Sequence, residues 1–267
     1  MSSETALSIK EAKLKANAAM QAGDVDSALF YYVKVLEKNQ KDEESLTAIA
    51  TIHTKRGNND LAILAYRMVL GENEEHQQAL EGLGLALIRV NKFDKARLTL
   101  FRALRDNPQH AAIYNGLGVI SDIQHFYSEA RWFYGQSLKM QADSPITRTN
   151  IAYSYFLSGE WDKAEKLYRV VLERFPKHAQ ASLNYALLLA RKGKLFDAMS
   201  NFERVLEKPQ AYNELGYILM LDKKYTMAEQ LFQKAISSSP SYFEKAYKNL
   251  ERLRELKAKK IDHDKTV

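Results

Sequence analysis

Apolar positions along the chain recur three and four residues apart, the rhythm of amphipathic helices, and that rhythm is itself repeated at a longer period. An alanine stands at Ala28, Ala62, Ala96, Ala130, Ala164 and Ala198, each 34 residues after the last, and again at Ala228 after a step of 30. Eight residues after each comes Leu36, Leu70, Leu104, Leu138, Leu172, Leu206 or Ile236; four residues after comes Tyr32, Tyr66, Leu100, Tyr134, Tyr168, Phe202 or Phe232. Twelve residues before each lies a small residue: Ala16, Ala50, Gly84, Gly118, Ala152, Ala186 or Gly216. Five before it, turn-formers dominate, with Gly23, Gly57, Asn91, Gly159 and Gly193. This frame predicts seven units of two antiparallel helices. The small residue on the first helix admits the alanine-bearing second, and the bulky residue one turn beyond the alanine fills the space between units. Pro108, Pro176 and Pro240, each twelve residues after its alanine, mark where second helices stop.

The frame resembles the tetratricopeptide repeat over residues 9 to 242, nearly the whole chain. The resemblance implies an all-α solenoid of about seven helix-turn-helix repeats in a right-handed superhelix. The expected repeats are 9–42, 43–76, 77–110, 111–144, 145–178, 179–208 and 209–242, after a leader at 1–8. A capping helix is expected at 243–262, with Phe243, Tyr247, Leu250 and Leu253 facing the last repeat, then a tail at 263–267. The two Gly-Leu-Gly stretches, 82–84 and 116–118, fall mid-helix in this frame. A phosphate loop needs a strand before it and free N–H groups at a helix start, so these glycines are read as packing positions.

In such a solenoid the first helix of each unit lines an inner wall, and the resemblance implies ligand contacts at fixed positions there. Those positions are polar in the first two units. Further along they give Leu85, Ile88, Val119, Ile123, Tyr153, Phe156, Leu157, Leu187, Tyr217 and Met220, a partner-binding groove of apolar and aromatic residues. Tyr153, Phe156 and Tyr217 stand out, since large exposed aromatics mark contact sites. Packing between neighbouring units is the other reading for several of these positions. Asn150, Asn184 and Asn213 lie one turn earlier, where an amide pairs with the backbone of an extended peptide or bridges within the array.

Composition narrows the chemistry. There is no cysteine, which removes disulfides, thiolate metal sites and cysteine nucleophiles together. The six histidines (53, 76, 110, 125, 178, 263) show no metal-ligand spacing. No nucleophile motif or paired-carboxylate site stands outside the frame, so neither a cofactor nor an enzymatic activity is expected. The net charge of +6 is dispersed, with a local excess only beyond Ser241. A nucleic-acid face wants a denser basic stripe with stacking aromatics, and no nucleic acid is expected as partner. No stretch approaches the roughly 18 apolar residues of a membrane span. Repeat proteins that hold acidic chaperone tails use a clamp of Lys, Asn and Arg. Lys13 and Asn17 match it, whereas Ala48, Gln78 and Gly82 fail it.

The short step between Ala198 and Ala228 loses four residues, about one helical turn, between Leu206 and Gly216. A changed curvature is expected near Leu187 and Tyr217. The stretch 184–198, this junction, and 211–235 together resemble the TadD family, tetratricopeptide lipoproteins of the bacterial tight-adherence (Flp pilus) assembly system. The resemblance implies a pilotin-like role, binding a segment of the pilus secretin. It also implies a periplasmic protein on the inner leaflet of the outer membrane, held by a lipid anchor whose cysteine is not in this sequence. A cytosolic adaptor or secretion chaperone shielding an apolar client segment is the alternative, and Met1 as native start would fit it.

Overall fold

The computed structural model describes residues 7–106 and 108–266, with side chains of Asp106 and of 259–266 left aside. Among the described residues there are fifteen helices and no strand. They fall into two units, residues 1–143 and 144–267. Unit 1 holds α1 (Ile9–Ala22), α2 (Val25–Lys38), α3 (Glu43–Lys55), α4 (Asn59–Glu72), α5 (Gln77–Arg89), α6 (Phe93–Asp106), α7 (Ala111–Ile123) and α8 (Tyr127–Met140). Unit 2 holds α9 (Pro145–Leu157), α10 (Trp161–Arg174), α11 (Ala179–Arg191), α12 (Leu195–Glu203), α13 (Lys208–Leu221), α14 (Tyr225–Ser238) and α15 (Glu244–Thr266). Helices alternate in pairs through both, the helix-turn-helix repeat of an all-α solenoid. Of the expected leader, 1–6 lie outside the described residues; α15 continues through 263–266, which the sequence reading left as a tail.

The frame explains the packing. All seven alanines are fully buried, and the bulky residues four positions on are at most 4% exposed. At Gly118 an added Cβ would sit 2.4 Å from the Tyr134 ring, and at Gly84 2.3 Å from Leu100 Cδ2. These glycines permit close helix approach, which is what the Gly-Leu-Gly stretches do.

Turn chemistry is equally regular. Among the described residues seven take positive φ, namely Gly23, Gly57, Asn91, His125, Gly159, Gly193 and Lys223, each five before its alanine. The next residue then donates its N–H to the carbonyl five positions back, as in Asp24 to Ala19 and Phe126 to Ser121, both within 2.9 Å. This is the left-handed helix stop with its six-to-one bond. His76 and His178 cap α5 and α11: each Nδ1 accepts a backbone N–H three residues on, at 3.3 and 3.1 Å. The clamp residues are engaged internally, Lys13 with Asp42 at 2.7 Å and Asn17 with the Tyr32 hydroxyl at 2.6 Å.

The second helices of five repeats (α2, α4, α8, α10, α14) and α6 each span 14 residues, whereas α12 spans nine. The shortening at the sixth repeat therefore falls on the second helix. Pro209 lies in the first turn of α13, where its missing N–H costs nothing. On α15 the buried face is Ala246, Leu250 and Leu253. Tyr247, expected on that face, is instead 42% exposed and stacks on Tyr242 at 4.8 Å.

Candidate functional site

Unit 2 contains a groove of about 580 Å³ between α9, α11, α12 and α13. Nine of its twelve lining residues are apolar or aromatic: Tyr153, Phe156, Leu183, Leu187, Phe202, Leu206, Tyr217, Ile218 and Leu221. Asn184, Arg191 and Glu214 supply the polar remainder. The short α12 bears on the opening: Leu206, which a 14-residue second helix would still contain, lies instead where the chain turns into α13, beside Phe202 near the end of α12.

The aromatics are ordered by one another. Tyr153 and Phe156 stack at 5.8 Å between ring centroids, and Phe156 stacks on Trp161 at 6.2 Å. Such offset stacks hold rings in one orientation at little entropic cost. Charge at the groove is compensated: Arg191 pairs with Asp222, and Glu214 accepts from Lys245 at 2.6 Å. Asn184 Oδ1 accepts from Gln180 Nε2 at 2.8 Å. A ligand here meets an apolar floor with paired ions, so apolar contact would provide most of its binding.

Five of the residues singled out from the sequence come together here: Tyr153, Phe156, Asn184, Leu187 and Tyr217. Asn150 is half-buried on the same helix as Tyr153, and Leu157 is 36% exposed; neither lines the groove. Two expectations are corrected. Met220 is 2% exposed and packs in the core with Leu219, Phe232, Leu250 and Leu253, because the terminal helix covers its side of α13. Asn213 is fully buried and accepts from Asn249 Nδ2 at 2.9 Å, a bond between α13 and α15. Leu85, Ile88, Val119 and Ile123 belong to unit 1. Leu85 and Ile88 pack against Gly116, where an added Cβ would meet them at 3.0 and 3.3 Å; Val119 is half-buried and Ile123 43% exposed.

Sequence reasoning missed Trp161, Leu183, Phe202, Leu206 and Ile218 as groove neighbours. The four-residue deletion beside Leu206 was a signal for that residue alone; Phe202 and Ile218 are core positions, 4 and 7% exposed, and Trp161 and Leu183 lie outside the junction. Behind the groove, Glu165 accepts from Lys192 at 2.6 Å, Lys194 at 3.0 Å and Arg169 at 2.7 Å. Burial alone would raise its pKa, but the hydrogen bonds from Lys192 and Lys194 outweigh it and hold the carboxyl down at about 2. This is a structural carboxylate fixing the turn between α11 and α12 to α10. Among the described residues, no group of His, Asp or Glu is placed to hold a metal ion, and no helix is long and apolar enough to cross a membrane.

Sequence profiles described as tetratricopeptide repeat match residues 81–138, 149–208 and 209–242. The chain belongs to the tetratricopeptide repeat family, whose fold is in general a non-catalytic scaffold for protein–protein contact. A profile described as subunit 3 of the anaphase-promoting complex, or cyclosome, matches residues 21–103. Among solved structures, a tetratricopeptide repeat protein from Parabacteroides merdae ATCC 43184 is similar over 92% of this chain and 98% of its own, with TM-score 0.71 and 20% identity. Pseudomonas aeruginosa pilF is similar over 85% of this chain and 96% of its own (TM-score 0.57, 19% identity). The APC/C Cut9–Hcn1 hetero-tetramer is similar over 92% of this chain and 49% of its own (TM-score 0.62, 14% identity). At these identities the likeness is one of fold. No curated protein matches the sequence.

Proposed function

We propose that the groove of unit 2 binds an apolar segment of a partner protein, and that the chain acts as a pilotin-like assembly factor for the secretin of a tight-adherence pilus. The observation that carries the binding reading is the stacked Tyr153, Phe156 and Trp161 beside Leu187 and Tyr217 on an open apolar groove. Apolar grooves rimmed by polar groups are where helical-repeat proteins take extended or helical segments. The choice of partner rests on the TadD-like stretches 184–198 and 211–235, which supply most of α11, the start of α12 and most of α13 and α14. A secretion chaperone or cytosolic adaptor would use the same groove on another client.

The test is fluorescence anisotropy with peptides tiling a tight-adherence secretin. One tile is expected to bind, and Phe156→Ala with Tyr217→Ala is expected to weaken it about a hundredfold, two anchors at about 1–2 kcal/mol each, with helicity intact. Binding unchanged in the folded double variant would remove the groove as the site. No binding by any tile would remove the secretin as partner and leave the client reading.

A further inference from the structure

Unit 1 carries an apolar surface that no groove accounts for. Two residues after each alanine stand Phe30, Leu64, Leu98 and Trp132, on α2, α4, α6 and α8, exposed at 55, 58, 66 and 57%. The same position in unit 2 holds Lys166, Ser200 and Gln230. Val33 and Phe101, also exposed, widen the row. Between α6 and α8 the row is linked through the buried Phe133 ring, on which Phe101 packs at 6.2 Å and Trp132 edge-on at 5.1 Å, and by Arg97 to Glu129 at 2.8 Å. Large side chains bring roughly 150–250 Å² each when aromatic. The row therefore offers several hundred Å², comparable to or above the ~300–600 Å² of the largest patch on an ordinary monomer. It falls below the ~800 Å² per partner of a standard stable interface, so the charged edges must supply the remainder.

Charge borders this row on both sides with opposite signs. Asp26, Asp60 and Asp94, in the first turns of α2, α4 and α6, are exposed along one edge. Lys34, Arg67 and Arg102, one turn beyond the apolar row, form the other. On the acidic edge Asp26 pairs with Arg56 yet stays 90% exposed, and Lys95 stands exposed beside Asp94. On the basic edge Lys34 is half-buried and pairs with Glu37 at 2.8 Å, and Arg102 donates to the Glu74 carbonyl at 2.9 Å. A face ordered acidic, apolar, basic is complementary to itself in one arrangement. With a two-fold axis along the row, each acidic edge lies over the partner's basic edge; with the axis across the row, acid meets acid. A lipid surface of anionic headgroups would repel the acidic edge.

We propose that this face joins two copies of the chain in an isologous dimer whose two-fold axis runs along Phe30, Leu64, Leu98 and Trp132. Sedimentation equilibrium at about 0.1 M NaCl, where charges act over about 10 Å, is expected to give twice the 30.6 kDa chain mass. Leu64→Glu with Leu98→Glu is expected to give the monomer with unchanged circular dichroism; Leu64→Ser with Leu98→Ser serves if the charged pair fails to fold. Asp60→Lys with Asp94→Lys should weaken association at least tenfold. Adding Arg67→Glu and Arg102→Glu, which exchanges the two edges, should restore it. A monomer at every concentration, or a dimer indifferent to the Leu64 and Leu98 changes, overturns the proposal. A monomer that instead floats with phospholipid vesicles overturns it in favour of a membrane surface.

Discussion

The two units share one internal frame and differ in where they leave apolar surface uncovered. In unit 1 the second helices carry Phe30, Leu64, Leu98 and Trp132 outward, while the first-helix positions of its early repeats are polar or packed. In unit 2 the corresponding outward positions are Lys166, Ser200 and Gln230. Exposed apolar side chains on its second helices fall at other positions (Val170, Phe196, Met227), and the grouped apolar surface is the half-buried wall of its first helices, at Tyr153, Leu187 and Tyr217. The buried alanine, its aromatic neighbour and the left-handed stop are the same in both. A repeat array thus fixes its core by a few positions per unit and leaves the remaining faces free to differ.

Core substitutions test the shared half of that comparison and should have the largest effect. Tyr168→Ala and Tyr134→Ala should each cost about 3–5 kcal/mol in urea unfolding, because both rings are at most 1% exposed. Tyr134 carries an added loss, since its hydroxyl donates to buried Asp122 at 2.8 Å. Tyr217→Ala, at the groove, should cost well under half as much. If it costs as much as Tyr168→Ala, the groove aromatics are core and the contrast between units fails.

The close approaches give the next effect. Gly118→Ala drives a methyl into the Tyr134 ring and should cost about 1–3 kcal/mol, although alanine gains up to about 1 kcal/mol of helix propensity. Ala152, which stands at the same place in unit 2 and is fully buried, should lose about 1 kcal/mol as Ala152→Gly. A stabilised Gly118→Ala would mean the two units do not share one helix spacing.

Electrostatics differ too. Glu165 has a folded pKa of about 2 against an ordinary 4.5. A lowered carboxyl pKa gives stability that is complete above the unfolded value and lost as pH falls from about 4.5 towards 2. Glu165→Gln should therefore flatten the acid limb of unit 2's stability while costing about 1–2 kcal/mol at neutral pH. Thermal unfolding across that pH range reads it, and a limb of unchanged steepness would show that other carboxyls dominate.

Much of the core was legible because the period ties each position to six others. The alanine, the bulky residue one turn on and the mid-helix glycines needed no more than counting. Five of the named groove residues lie together for the same reason. Met220 and Asn213 escaped the count because α15 is not a repeat, and it buries the flank of α13 that an eighth unit would otherwise have met. Phe30, Leu64, Leu98 and Trp132 repeat at 34 residues as visibly as any core position. Two residues on is about 200° round the helix from the buried alanine, so spacing places them on the outer side; it does not say what covers them.

The smallest effect lies in the turns and separates two departures from one rule. His125 and Lys223 hold the left-handed position where four repeats use glycine, with φ of 65° and 59°. That conformation costs a side-chain-bearing residue roughly 1–2 kcal/mol, whereas glycine loses about 0.4–1 kcal/mol to the freedom it restores to the unfolded chain. Lys223→Gly should thus stabilise unit 2 by about 0.5–1 kcal/mol. His125→Gly should gain less, because the His125 ring contacts the Tyr127 hydroxyl at 2.9 Å and stacks edge-on against that ring at 5.9 Å. Differential scanning calorimetry of both variants decides the matter. Equal gains would mean the His125–Tyr127 contact adds nothing to unit 1, and a loss at Lys223→Gly would mean that the lysine side chain holds the turn.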